Sequence, residues 1–84
     1  MKRPNYNIAL NGENITTRHA WNTARRSIAR IIQARLDDKE TAALTHQTYF
    51  KTEDGTSFTH GIEQWTGSSG RIFNILIERE ADNA

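Results

Sequence analysis

Residues 17–36 read Thr17-Arg18-His19-Ala20-Trp21-Asn22-Thr23-Ala24-Arg25-Arg26-Ser27-Ile28-Ala29-Arg30-Ile31-Ile32-Gln33-Ala34-Arg35-Leu36, and the fold class turns on their periodicity. At about 100° per residue, Ala20, Trp21, Ala24, Ile28, Ile31 and Ile32 gather within an arc of roughly 120°. His19, Asn22, Arg26, Arg30 and Gln33 lie opposite, with Arg18 and Arg25 on one flank. This pattern predicts one amphipathic helix from about Thr17 to Leu36, with Trp21 in the core. Thr16 or Thr17 is placed to cap it, because a threonine hydroxyl accepts from the free N–H groups of a first turn. Asp37-Asp38-Lys39-Glu40 follows as a polar break. Aspartates at a helix C-terminus oppose the macrodipole, so the helix stops before them. Residues 39–45 leave room for a short further turn.

Upstream, Asn11-Gly12 is the strongest two-residue hairpin signal, since both central positions of a type I′ turn need positive φ. Pairing outward from it sets Leu10 opposite Glu13, Ile8 opposite Ile15 and Tyr6 opposite Thr17. Tyr6, Ile8, Leu10 and Ile15 then share one face, and Asn7, Ala9, Asn14 and Thr16 the other. A single strand with a loop into the helix is the alternative.

Downstream, Asp54-Gly55 centres a second hairpin with Lys51 opposite Phe58 and Tyr49 opposite His60. Tyr49, Phe58 and Ile62 share a face there, with Phe50 on the other. Gly67-Ser68-Ser69-Gly70 reads as a loop. Ile72-Phe73-Asn74-Ile75-Leu76-Ile77 fits a strand apolar on both faces, and its isoleucines favour strand, although a helix capped by Ser68 or Ser69 has a similar period. The expected architecture is α+β: one antiparallel sheet of four to five strands packed against one amphipathic helix, in the order ββαβββ or βαβββ. Residues 1–84 form a single domain with an ordered core over 5–79, and residues 80–84 are expected to fray.

A chain of 84 residues has room for one modest core and buries only roughly 60% of its unfolded surface. It has no cysteine, which removes disulfides and thiolate metal sites. The basic start, Met1-Lys2-Arg3-Pro4-Asn5, lacks the apolar run of a signal peptide, and no stretch has the length of a membrane span. A soluble intracellular protein is expected. The net charge of +1 conceals a split: residues 1–36 carry seven basic side chains against Glu13 alone, and residues 37–84 carry four against nine acids. Such a split fits a basic surface for an anionic partner, head-to-tail self-association into a homodimer, or neutralisation of one half by the other.

Catalytic constellations are poorly marked. His19, His46 and His60 have no metal-ligand spacing, and the expected register sends His46 and His60 to opposite faces. Ser57 or Thr59 beside His60 and Glu63 has no strained elbow to present a nucleophile. Asp37 and Asp38 read as a solvated pair. The Gly67–Gly70 loop lacks the lysine of a phosphate loop. No enzyme, metal or cofactor is expected. The arginines carry the functional lead, because no acid stands between Asn14 and Leu36 to pair with them at i, i+4. Arg18, Arg25, Arg26 and Arg30 suit phosphate oxygens or a carboxylate cluster, with Tyr49 and Trp65 as aromatic anchors of a protein-docking surface. In the nucleic-acid version of this reading, the hairpin tips or Lys2 and Arg3 add phosphate contacts.

Strand Tyr6–Leu10, the helix with Thr23-Ala24-Arg25-Arg26-Ser27-Ile28-Ala29, and the segments Thr48–Lys51, Ser57–His60 and Arg71–Ile77 make a layout that resembles the small anti-CRISPR proteins of phages and mobile elements. The resemblance is one of size and layout over most of the chain, without a shared motif. It implies a non-enzymatic inhibitor in the bacterial host cytoplasm, docking on a CRISPR–Cas effector ribonucleoprotein and blocking its nucleic-acid binding. Many such inhibitors are acidic and imitate DNA. The basic helix here departs from that pattern and shifts the implied contacts toward acidic protein surface or guide RNA. The other reading is a phage or plasmid accessory protein that binds nucleic acid through the arginine-rich helix.

Overall fold

The structure, a computed structural model, describes residues 4–80. Lys2, Arg3 and the tail 81–84 lie outside the described residues. The chain runs β1 (Asn5–Leu10), β2 (Glu13–His19), α1 (Trp21–Gln33), β3 (Ala42–Lys51), β4 (Phe58–Gly67) and β5 (Ile72–Arg79). This is the ββαβββ order. The strands form one sheet in the order β2-β1-β5-β4-β3, antiparallel throughout, with α1 on one face. The last strand therefore enters between the two hairpins and joins them.

Asn11 and Gly12 both have positive φ, 49° and 85°, as a type I′ turn requires. Leu10 faces Glu13 as expected. Beyond that pair Ile15 forms a bulge, so Ile8 pairs with Thr16 and Tyr6 with Arg18. The extra residue lets Ile15 pack against the core while its neighbours keep the ladder. Strand pairing then continues through Arg18 and His19, and neither Thr16 nor Thr17 caps the helix. Their backbones are taken by the ladder with β1, and α1 begins after Ala20 (φ 65°) with no side-chain cap. Arg18 and His19 are thus strand residues. At the other end Ala34 closes the helix before Asp37, as the macrodipole argument required. No helical turn follows over 39–45, because β3 starts at Ala42.

The second hairpin also carries bulges. Lys51 faces Phe58 as expected, but Phe50 then pairs with His60 and Tyr49 with Gly61, leaving Thr59 extra. Tyr49 and Phe58 stay on the helix side, with ring centroids 6.3 Å apart. Ile62 falls on the opposite, open face and is 50% exposed. His46 and His60 share that open face too, each paired with a residue that stands on it. The segment after the glycine loop is a strand, burying Phe73, Ile75 and Ile77 against the helix. Glu80, the last described residue, is joined to β1. Its N–H donates to the Asn5 carbonyl at 2.9 Å, and its carboxylate accepts from Asn5.

Ala24, Ile28 and Ile32 of α1 cover Tyr6, Ile8 and Leu10 of β1 and the inward residues of β5. At one end Trp21 stacks on Phe58 at 4.4 Å and meets Tyr6 and Tyr49 edge-on. Gly61 makes that aromatic cluster possible. A Cβ there would lie 2.7 Å from a Tyr49 ring carbon and 2.8 Å from the Trp21 ring. Gly61→Ala is expected to cost about 1–3 kcal/mol, as overpacking of a filled core does. Urea unfolding followed by tryptophan fluorescence measures the loss, and an unchanged midpoint contradicts this packing.

Candidate partner-binding surface

The residues expected to form one surface divide into two groups. Arg25 points inward. Its Nε lies 3.0 Å from Oε2 of Glu63, a side chain with no exposed surface, and its guanidinium sits over the Tyr49 ring at 5.2 Å. Tyr49 Oη also donates to Glu63, and Trp65 Nε1 donates to the other carboxylate oxygen at 2.8 Å. Arg25, Tyr49 and Trp65 therefore belong to an internal network and are not free anchors. Burial, and then the hydrogen bond to Glu63, push the Tyr49 hydroxyl up to about 12.

A second internal clasp sits below the C-terminal end of α1. The buried carboxylate of Glu40 accepts from Arg71 Nη2 at 2.5 Å, from the Asp37 N–H at 2.9 Å and from the Ser69 hydroxyl. Arg71 also donates to the Arg35 carbonyl at 2.6 Å. The Gly67–Gly70 loop thus wraps a carboxylate of its own chain. A side chain at Gly67 would come within 2.7 Å of Glu40 Oε2. The hydrogen bonds from Arg71, Ser69 and Asp37 hold Glu40 at about 2, below its ordinary 4.5.

Arg26 and Arg30 behave differently. Both are exposed, one helical turn apart, and neither reaches a carboxylate among the described residues. Arg18 meets them from β2, because its partner Tyr6 faces the helix. Its guanidinium rests on Thr16 Oγ1 and the Thr17 carbonyl, which satisfies part of its donor fork without cancelling its charge. Arg35 joins from the end of the helix, held by the Ile31 carbonyl. The four arginines line a shallow groove of about 450 Å³ between the edge strand and α1, with Thr23 and Ser27 among them. Arg35 was missed as a site residue because it lies beyond the clearest helical period. The turn after Gln33 swings it back beside Arg30.

The other candidate constellations are not assembled. Thr59 Oγ1 lies 3.0 Å from His60 Nδ1, but Glu63 stands on the opposite face of β4 and is taken by Arg25, Tyr49 and Trp65. Among the described residues no three His, Asp or Glu side chains come together as a metal-binding group, and no helix is long and apolar enough to cross a membrane. Comparison with known protein families, characterised proteins and solved structures finds no match for the chain.

Two outcomes test this division. Removing Arg25 strands a buried charge. Arg25→Ala is expected to cost about 2–3 kcal/mol, at or below the low end for a broken buried pair because Arg25 is itself partly exposed. Arg26→Ala and Arg30→Ala should stay within about 0.5 kcal/mol of the parent. Denaturant titration of the three variants gives the comparison, and equal losses contradict the assignment. The second outcome concerns pH. As acid is added, the unfolded chain protonates its glutamate near 4.5 while folded Glu40 holds out to about 2, so its contribution is whole above 4.5 and lost between 4.5 and 2. Tyr49 acts in the other direction: the unfolded chain loses its proton near 10 and the folded one near 12, so stability falls over that alkaline window. Thermal midpoints across both windows check the signs, and Glu40→Gln should be less stable at neutral pH with a flatter acid limb.

Proposed function

We propose that this protein is a small non-enzymatic binding module whose docking surface is the arginine groove of α1 and β2, and that its partner presents phosphate oxygens of a nucleic-acid backbone. The carrying observation is the convergence of Arg18, Arg26, Arg30 and Arg35 on one groove with no carboxylate among them. Arg26 and Arg30 are separated by a helical rise of about 6 Å, close to the spacing of successive phosphates along a strand. Planar guanidinium forks take such oxygens two at a time. Thr23 and Ser27 supply hydroxyl donors between them. Readout of base edges needs side chains that reach a groove floor; the contacts here are positioning contacts to backbone.

The inhibitor reading is the second one, supported by the likeness of layout: a single helix on an antiparallel sheet of this size. In that case the same groove meets the guide RNA or an acidic patch of a CRISPR–Cas effector ribonucleoprotein in the bacterial cytoplasm. Both readings place the contact on Arg26 and Arg30.

Fluorescence anisotropy with short single-stranded RNA and duplex DNA, over a salt series, tests the proposal. Four phosphate contacts predict a slope of log affinity against log salt of about 3–4, and Arg26→Glu with Arg30→Glu should remove about two units of it. Absence of binding at low salt defeats the nucleic-acid reading. Recovery of one stoichiometric ribonucleoprotein from nuclease-treated bacterial lysate favours the inhibitor reading.

A further inference from the structure

The sheet face opposite α1 is uncovered, yet it carries much of the exposed apolar surface. Ile62 is 50% exposed, Ile72 42%, Phe50 41% and Leu76 37%. The ladder registers place all four on this face. Formal charge is nearly absent from it. Of the described strand residues whose side chains stand on this face, only Glu78 is charged, near the end of β5. In a chain with 25% charged residues, such a face is segregated from the rest of the surface.

Its relief is also asymmetric in a useful way. Ala9, Leu76 and Ile62 stand side by side in one row across β1, β5 and β4. Between the short Ala9 of β1 and Ile62 of β4 lies a hollow of about 510 Å³, lined also by Asn7, Leu76 and Glu78. On the β4 side Ile62 projects, flanked by the stacked rings of Phe50 and His60, 4.2 Å apart. A half-turn about an axis lying along β5 carries ridge over hollow and hollow over ridge. Ile62 of each copy then lands over Ala9 of the other, and the two Leu76 side chains meet on the axis. This is the self-complementarity of an isologous interface.

We infer that the open sheet face is a self-association surface occupied by a second copy of this chain, packed sheet to sheet. Five strands at about 4.8 Å spacing and seven or eight residues long present roughly 600 Å² per copy. Doubled, that reaches the lower bound of about 1,200 Å² for specific interfaces. Depletion of charge at the centre is what such interfaces show. With the axis along β5, Glu78 meets its mate near the strand end, at the polar rim of the contact rather than at its centre. The dimer turns its two helices outward, so the arginine grooves lie on opposite sides and bind independently of the contact between copies.

Sedimentation equilibrium of the full chain, without nucleic acid, tests this separately from the groove. The expected result is a concentration-dependent rise from 9.6 kDa to twice that mass. Ile62→Glu should raise the dissociation constant at least tenfold, with a thermal midpoint unchanged at concentrations where the parent is also monomeric. If that variant is destabilised, Thr48→Lys, the next place along the same row on β3, is read in its stead. Ile62→Lys and Ala9→Glu, each monomeric alone, should pair when mixed. A parent chain that stays monomeric at millimolar concentration overturns the inference, as does an Ile62→Glu dimer as tight as the parent's.

Discussion

A carboxylate taken out of water keeps its place only if donors surround it, and the seating of α1 against β3 and β4 can be traced to how Glu63 meets that demand. Its donors come from three elements: Arg25 from α1, Tyr49 from β3 and Trp65 from β4. The apolar stripe of the helix alone would tolerate sliding over β1 and β5, since Ala24, Ile28 and Ile32 meet a broad hydrophobic surface. The ion pair removes that freedom. It draws the first turns of α1 toward the β3–β4 hairpin and lays Trp21 between Tyr6, Tyr49 and Phe58. Gly61 is the counterpart on the sheet, because only a residue without Cβ lets the Tyr49 and Trp21 rings close over that strand.

Placing Arg25 also places its neighbour. On a helix, adjacent side chains are about 100° apart, so once Arg25 is aimed at Glu63, Arg26 is turned toward β2, and Arg30 follows one turn later on the same side. The opposite charges of the two halves of the chain are therefore settled selectively. The acidic half lends Glu63 to Arg25 and pairs Glu40 with its own Arg71, and both carboxylates are buried in the process. Neither reaches the β2 side of the helix. The uncompensated positive charge gathers there by geometry.

The elements whose evidence is local were legible in the sequence. Asn11-Gly12 specifies its turn by two positive φ values, the isoleucines of α1 repeat with the helical period, and the β-branched content of residues 72–77 favours strand. What could not be read is where the ladders skip. Bulges at Ile15, Thr45 and Thr59 each shift one strand by a residue, and a shift of one flips every later side chain to the other face. That is why Ile62 and His60 were misplaced. The helix start was misread for a related reason. Thr16 and Thr17 suit a cap and a strand equally well, and the choice was made by β1 offering ladder partners. Glu63 left no local mark at all. Its neighbours Gln64 and Ile62 look no less suited to the interior, and its burial follows from three donors that lie 38, 14 and 2 residues away.

One helix of 13 residues is about 20 Å long, enough to cover part of one face of a five-stranded sheet. Among the described residues there is no second helix for the other face, so β5 is apolar on both sides but buried by them on only one. A monomer built for solvent would be expected to place lysines and glutamates along the outward positions of β4 and β5, as open antiparallel sheets do. Those positions are instead His60, Ile62, Gln64, Thr66, Ile72, Asn74 and Leu76, with Glu78 alone charged. Charge is plentiful elsewhere in the chain and concentrated on the helix side. The two faces of the sheet thus differ in kind: one is anchored by buried ion pairs and presents surplus cations, and the other is neutral, partly apolar and shaped to accept its own relief.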